Sequence, residues 1–376
     1  MTAALGAEPL KWLAANLLTG EIICDLPALV PDQSPFRRTL GQYETNQATL
    51  YLDEHTDPEW ERGLLPWASV VVGYRGEPGA EVIEWAGIVN QQVRKLGNTV
   101  NVPLITGEGA LDRCFVGAYT TDPTGVGATT DQNQIASDLV TLFVVAPLNG
   151  IPGLPITVVI VGGAGQQLLR TYDDSDDKTV YAALQELMGI AGGCEWTLHW
   201  QWTHNPERIT AVIYIGSRIG TAVPAGGQPN ATFEASDLLD ATYTLDFSSR
   251  AGANIVKATL GSGVGRPTAT AVATDTAGRP HLEFRYSPAT AISNQAALQQ
   301  NANGKLAIMQ AGKESVQLVS EIKDGLRYGT DWSIGDDLGY LLTGTAYPVP
   351  KQGVTRCIGY ETTDASVTPI VAGLGG

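Results

Sequence analysis

The sequence predicts a mainly β protein with an α+β middle, in which two similar antiparallel β-barrel-like domains flank a helix-plus-hairpin domain. Three observations lead there. A chain of 376 residues is long for one domain. Short apolar runs punctuated by Gly, Pro and Asp fill its first and last thirds. And Trp-x-x-Gly ahead of a run of strands is spelled twice, as Trp60/Gly63 in "PEWERGLLPWASVVVGY" and as Trp332/Gly335 in "TDWSIGDDLGYLL". The implied domains span residues 1–115, 116–235 and 236–376, and the two outer ones can exchange segments.

In the first domain, "EIICDLP", "QATLYLD", "ASVVVGYR", "VIEWAGIVNQQVRKL" and "NTVNVPLIT" read as strands. The fourth is long enough to bend, and Gly87 offers the place for a bulge. Past Phe115 the composition shifts. "TTDPTGVGATTDQNQ" is turn-rich, and "QIASDLVTLFVVA" reads as a helix. Val180, Leu184, Leu187, Met188 and Ala191 recur at helical spacing, with Gly192–Gly193 as the stop. "CEWTLHWQW" then alternates, with Cys194, Trp196, Leu198, Trp200 and Trp202 on one face. "THNPER" turns and "ITAVIYIGS" returns, which makes a hairpin. In the last third, "DATYTLDFS", "NIVKATLGS", "SVQLVSEI", "VTRCIGYET" and "SVTPIVAG" read as strands. "SNQAALQQNANGKLAIMQAG" reads as a helix interrupted near Gly304.

The repeated Trp-x-x-Gly has a physical meaning. Three strands follow it each time, near 68–75, 82–94 and 98–106, then near 336–342, 353–362 and 366–372. One β-meander is thus expected at both ends of the chain. Gly63 and Gly335 would take the positive φ of a tight turn. Asp336 would bond the turn's own backbone. Trp60 and Trp332 would cover the first strand pair and exclude water.

A formal net charge of −16 argues against a nucleic-acid binder, which needs a basic face to displace counterions, and against docking on an anionic membrane. Cys24, Cys114, Cys194 and Cys357 are far apart and form no Cys-x-x-Cys. Free buried thiols in a reducing cytoplasm are expected, not a zinc site or a disulfide framework. The N-terminus lacks the pattern of a signal peptide, and the apolar window Leu154–Gly163 is too short to span a bilayer.

Candidate chemistry is sparse. Asp173, Asp174, Asp176 and Asp177 lack the spacing, Gly and bidentate Glu of a calcium loop, and suit the start of the following helix. His199 and His204 have no evident third metal ligand. Trp196, Trp200 and Trp202 could form a sugar-stacking platform, though their apolar neighbours favour a core. "GSGVGRP" lacks the Lys-Ser/Thr pair of a phosphate loop. No nucleophile–base setting appears, and nothing singles out two carboxylates among 39 acidic residues as a hydrolytic pair. Neither catalytic residues, nor a cofactor, nor a metal is expected.

Taken in order, "WLAANLLTGEIICDLP", "RRTLGQYETNQATLYL", "WERGLLPWASVVVGY", "EWAGIVNQQV", "NTVNVPLITGEGALDRCFVG", "YAALQELMGIAGGCEWT", "TDWSIGDDLGYLL" and "VTRCIGYET" resemble the minor tail proteins of long-tailed (siphovirus) phages, the tail-hub or baseplate-hub family. The resemblance implies a non-catalytic structural protein of the virion, made in the host cytoplasm and placed at the tail tip. It implies a homotrimeric ring with two similar β-barrels per subunit, which adapts a sixfold tail tube to a threefold tip. The implied partners are the distal tail protein ring, the tape-measure protein and tip or fibre proteins, with DNA passing through without specific binding. Family members often carry a C-terminal lytic extension; this sequence stops after "SVTPIVAGLGG", so such a module is expected elsewhere. Two alternatives stay open at this point: a carbohydrate-binding receptor protein using Trp196 or Trp200, and a cell-wall hydrolase.

Overall fold

The computed structural model describes residues 10–372 apart from 33–34, 77–78, 191, 225–226, 249–251, 262–264, 275–277, 289–294, 311–312, 322–325 and 364–365. Mainly β-structure fills it, in several sheets, with helices concentrated in the middle and in a small insertion. The chain divides into two compact units, residues 1–240 with 319–370, and residues 241–318 with 371–376.

The larger unit opens with β1 (Lys11–Asn16), β2 (Ile22–Asp25), β3 (Leu29–Pro31), β4 (Phe36–Thr39) and β5 (Thr45–Tyr51). A one-turn helix α1 (Trp60–Gly63) leads to β6 (Ser69–Arg75), β7 (Val82–Val89), β8 (Val93–Arg94) and β9 (Thr99–Thr106). They pair in the order β2-β1-β6-β7-β9-β5-β3, with β8 on β9. Alternation puts Ala48, Leu50, Val100, Val102 and Leu104 inside, around a cluster in which the Phe36 ring stacks 4.4 Å from Trp85 and lies 5.1 Å from Trp12.

One expectation needs correction here. The run 82–96 is two strands, and its bulge falls beside Glu84, not at Gly87: Gly73 pairs with Trp85 while Tyr74 pairs with Ile83. The extra residue turns its carboxylate to Arg75. Gly87 serves packing instead, since a Cβ there would lie 2.2 Å from the Trp85 ring. The antiparallel pairing order, with β2 and β3 at its ends among the described residues, fits the barrel-like sheet expected. Strand β4, between β3 and β5 in the chain, pairs with neither and joins a strand from the far end of the sequence.

The middle of the unit carries short strands β10 (Tyr119–Thr120) and β11 (Thr130–Asp131), then α2 (Gln132–Val140). After it come β12 (Ile156–Val161), β13 (Gln167–Leu168), β14 (Thr171–Tyr172), α3 (Val180–Met188), β15 (Glu195–His204) and β16 (Glu207–Gly216). The hairpin β15–β16 pairs from Glu195↔Gly216 to His204↔Glu207, and β12 lies parallel to β16. Ile135 and Leu139 of α2 and Leu184 and Leu187 of α3 cover Trp196, Ile213 and Ile215. Thr179 caps α3, accepting from the Ala182 N–H. The acidic run does not: Asp173 and Asp176 cap a separate turn, because each side chain reaches the other's backbone before the helix begins.

Next come β17 (Ala231–Glu234) and β18 (Leu238–Asp246), which leads into the smaller unit. There β19 (Ile255–Thr259) is flanked by β20 (Thr268–Val272) and β21 (Glu283–Tyr286). One helix, α4 (Gln295–Gln310), runs through Gly304 without interruption and packs Leu298, Ala302 and Leu306 on Val256, Ala258, Ala269 and Ala271. This helix, expected within the last β-domain, therefore belongs to a separate α/β unit. "GSGVGRP" lies partly outside the described residues.

Strand β22 (Lys313–Glu321) leads back to β23 (Asp337–Gly344), β24 (Tyr347–Thr362) and β25 (Ser366–Val371). The sheet order is β17-β23-β24-β25-β22-β18. The visiting β4 pairs antiparallel with β24, from Thr39↔Gly359 to Phe36↔Thr362.

Candidate functional site: arginine–glutamate junctions between the sheets

The two Trp-x-x-Gly stretches are built differently. Trp332 is buried, donates its indole N–H to the Leu326 carbonyl at 3.2 Å and packs on Phe233, Tyr328 and Tyr360. Gly335 has φ +96°, and a Cβ would meet the Ile219 carbonyl oxygen at 2.2 Å. The Asp336 carboxylate accepts from the Ser333 N–H at 2.8 Å and from the Thr221 N–H at 2.6 Å. Trp60, by contrast, sits in a helical turn, half-buried under the Arg94 guanidinium at 5.2 Å. Gly63 keeps an ordinary φ and is needed for closeness, since a Cβ would lie 2.8 Å from Cys24 Sγ. A strand meander follows each: β6-β7-β9 and β23-β24-β25.

What joins the sheets is a set of charged residues that sequence patterns did not single out. Arg38 of β4 reaches Glu108, in the turn after β9, at 3.0 Å, and both are nearly inaccessible to solvent. The pair meets β15 edge-on. Glu108 accepts the Leu198 N–H at 3.2 Å, while Arg38 donates to the Leu198 carbonyl and to Thr197 Oγ1 at 3.3 Å. Burial works against the Arg38 charge and Glu108 outweighs it, so the guanidinium stays protonated.

A second pair repeats the device. Arg356 of β24 holds Glu195 of β15 at 2.5 Å; Glu195 accepts the Ile219 N–H at 2.8 Å, and Arg356 donates to the Ile219 carbonyl at 3.1 Å. In the third, Arg75 and Glu84 meet at 2.9 Å, and Arg75 donates to the Thr363 carbonyl at 2.8 Å. Glu84 accepts from Thr362 Oγ1 at 3.0 Å, and its backbone carbonyl accepts the Tyr360 hydroxyl. Burial pushes the Glu84 carboxyl up, against the pull of Arg75. Each pair thus bridges two sheets of the larger unit: the first two through backbone groups that no strand reaches, the third between β6–β7 and the end of β24. One signal was legible: Glu84 stands as a lone charge in the apolar run "VIEWAGIV".

Other candidates are placed as follows. Trp196 is fully buried, and Trp200 and Trp202 pack against the cluster of Leu13, Val70, Val72 and Ile209, so this face is core and not a platform. His199 lies edge-on to Tyr214 at 5.5 Å. All four cysteines are free; burial pushes the Cys24, Cys194 and Cys357 thiols up to about 12. Among the described residues, no group of three His, Cys, Asp or Glu converges to hold a metal, and no helix is long and apolar enough to cross a membrane. A concavity of about 850 Å³ beside β3, β5 and β9 has Asp32 in its lining. Asp32 accepts from Thr49 Oγ1, and among the described residues no second acid lines the groove.

The fold is that of tail proteins. No protein-family model and no curated protein matches the sequence. Among solved structures, the chain is similar to the 43 kDa tail protein of prophage MuSo2 from Shewanella oneidensis, at 12% identity and a TM-score of 0.53 over 96% of this chain and 98% of that one. It is similar to a chain of the Francisella PdpA-VgrG complex, half-lidded, at 9% identity and a TM-score of 0.53, over 96% of this chain and 57% of that one. A tail protein from Neisseria meningitidis MC58 aligns at 14% identity and a TM-score of 0.49, over 97% of both chains.

Proposed function

We propose that this protein is a structural component of a phage tail. The observation that carries the reading is the end-to-end likeness to the MuSo2 tail protein, which leaves little of either chain unmatched. The finer reading is a tail hub of a long-tailed phage: three copies form a ring at the distal tip, adapting the sixfold tube to a threefold tip. The β-domains near residues 1–115 and 236–376 would act as paired modules, each carrying one strand meander. The ring would contact the distal tail protein, the tape-measure protein and tip or fibre proteins, in a virion assembled in the host cytoplasm. Buried ion pairs between sheets support this role, because a load-transmitting ring needs its sheets held in one arrangement. The role is non-catalytic.

The charge supports a DNA channel. The duplex carries about one charge per 1.7 Å of axis, and a basic wall would hold it at every step. A chain of −16 can present an acidic wall that repels it. A virion map with this chain placed in it tests the reading. Three copies around an inner wall richer in Asp and Glu than in Lys and Arg are expected; a sixfold arrangement or a basic wall overturns it. Clearing of host peptidoglycan by the purified protein, lost on changing one acid, would overturn the non-catalytic role.

A further inference from the structure

The tryptophans of β15 belong to the core, and the chemistry they lack for a ligand stands on the outer face of another sheet. Strand β5 is paired on both sides, with β3 and β9. Its Ala48 and Leu50 point into the core, so Thr45, Gln47, Thr49 and Tyr51 form the opposite row, about 20 Å long. Register places Val30 of β3 beside Thr49, and Pro103 of β9 beside Gln47, on that same face. With Asp32 and Asn90 these residues line the groove of about 850 Å³, a size within the range of about 300–1,000 Å³ that ligand sites occupy.

The hydrogen-bonding groups of this face are unspent. Among the described residues, the side chains of Thr45, Gln47, Tyr51 and Asn90 bond no protein group. The Asp32 carboxylate accepts one bond, from Thr49 Oγ1 at 3.0 Å, and keeps further lone pairs for other donors. Tyr51 is 48% and Val30 47% exposed, so an aromatic ring and an aliphatic surface lie open beside the amides and the acid. A sugar matches this set. Each of its hydroxyls both donates and accepts, as the Gln47 and Asn90 amides do, and a carboxylate takes up hydroxyl donors. The C–H face of a pyranose packs on the negative face of an aromatic ring. Other ligands fit less well. The floor of the groove is a strand paired on both sides, so it offers an extended peptide no free edge to join. No Lys or Arg lines the groove among the described residues, and Asp32 would repel an anion.

We propose that this groove binds a neutral oligosaccharide, with one sugar ring on Tyr51 and the hydroxyls of its neighbours on Asp32, Gln47 and Asn90. Tyr51 and Gln47 lie about 14 Å apart along the strand, so more than one sugar is needed to reach both. The row stands on a strand held from both sides, and little backbone freedom is lost on binding. The inference rests on this lining and not on the tail reading, so its failure would leave that reading intact.

The test exposes the full-length protein to an array of neutral and acidic oligosaccharides and titrates the strongest neutral binder by calorimetry. Saturable binding is expected, weaker by about tenfold for Tyr51→Ala and clearly weaker for Gln47→Ala. Tyr51→Phe, which keeps the ring, is expected to bind nearly as wild type does. Phe115→Ala, which removes an exposed aromatic outside the groove lining, is expected to change nothing. Tyr51 and Gln47 are both exposed, so the variants should fold, and equal melting temperatures check this. No binding to any neutral sugar of the array, a preference for acidic ones, binding that survives both Tyr51→Ala and Gln47→Ala, or an equal loss in Phe115→Ala would overturn the proposal. So would self-association of the protein that Tyr51→Ala abolishes, since a second copy would then fill the groove.

Discussion

Arg38 and Glu108, 3.0 Å apart and buried together, hold between them the N–H and the carbonyl of a single residue, Leu198. They do for the edge of β15 what a neighbouring strand would do. The Arg356–Glu195 pair does the same for Ile219. Removing one partner strands a buried charge and an unmet backbone group together. Glu108→Leu or Arg38→Met should therefore each cost about 3–5 kcal/mol, and the double replacement should cost well under the sum. Chemical denaturation of the three variants checks this; additive losses would mean that the two side chains act separately.

The glycines of the two Trp-x-x-Gly stretches should respond differently to the same change. Gly63→Ala meets the Cys24 sulfur at 2.8 Å and the Ala14 Cβ at 2.9 Å, so Cys24→Ala should recover only part of its loss. Gly335→Ala meets a carbonyl oxygen while also forcing φ +96° on a residue with a Cβ. It should cost upwards of about 1–2 kcal/mol, and no trimming of a neighbouring side chain should restore it. Melting temperatures of the two single variants and of the Gly63→Ala/Cys24→Ala pair would decide.

Much of the fold was legible, because strand alternation and helical spacing are local. "CEWTLHWQW" and the helix before it announce themselves within a few residues. Exchange between the outer domains was allowed for, but which segment crosses was not legible in the pattern: "FRRTL" looks the same whether it pairs with its neighbours or with Gly359–Thr362. The junctions were hidden for a related reason. Arg38 and Glu195 look like surface charges until tertiary structure brings a carboxylate, a guanidinium and a backbone edge to one place. Trp60 and Trp332 share a motif but not a burial, since periodicity does not report how deep a turn lies.

His199 gives a pH dependence with a definite sign. Burial, helped by the Arg38 charge, brings its imidazole down to about 3 from the ordinary 6.5, so the folded protein prefers it neutral. Unfolding frees it to take up a proton below about 6.5. Stability should thus be full above that value, fall as pH drops, and stop falling through this group below about 3. One proton corresponds to a slope of at most about 1.4 kcal/mol per pH unit. His199→Gln should flatten the difference between pH 7 and pH 4. Denaturation midpoints at several pH values measure it, and an unchanged slope would mean that the imidazole titrates freely in the folded state.

The two tryptophans supply the last test. Trp332 is 2% exposed, with its N–H satisfied and aromatic rings on three sides, so truncation opens a cavity that its neighbours cannot collapse into. Trp332→Ala should cost roughly 3 to 5 kcal/mol. Trp60 is half-buried on a one-turn helix, and its cation–π contact with Arg94 is worth about 0.5–1 kcal/mol at such an exposed site. Trp60→Ala should therefore cost clearly less than Trp332→Ala. The two positions share a sequence motif, so equal losses in a denaturant series would mean that the motif, and not the burial, sets the energy. A loss clearly larger at Trp332 than at Trp60 is what the packing requires.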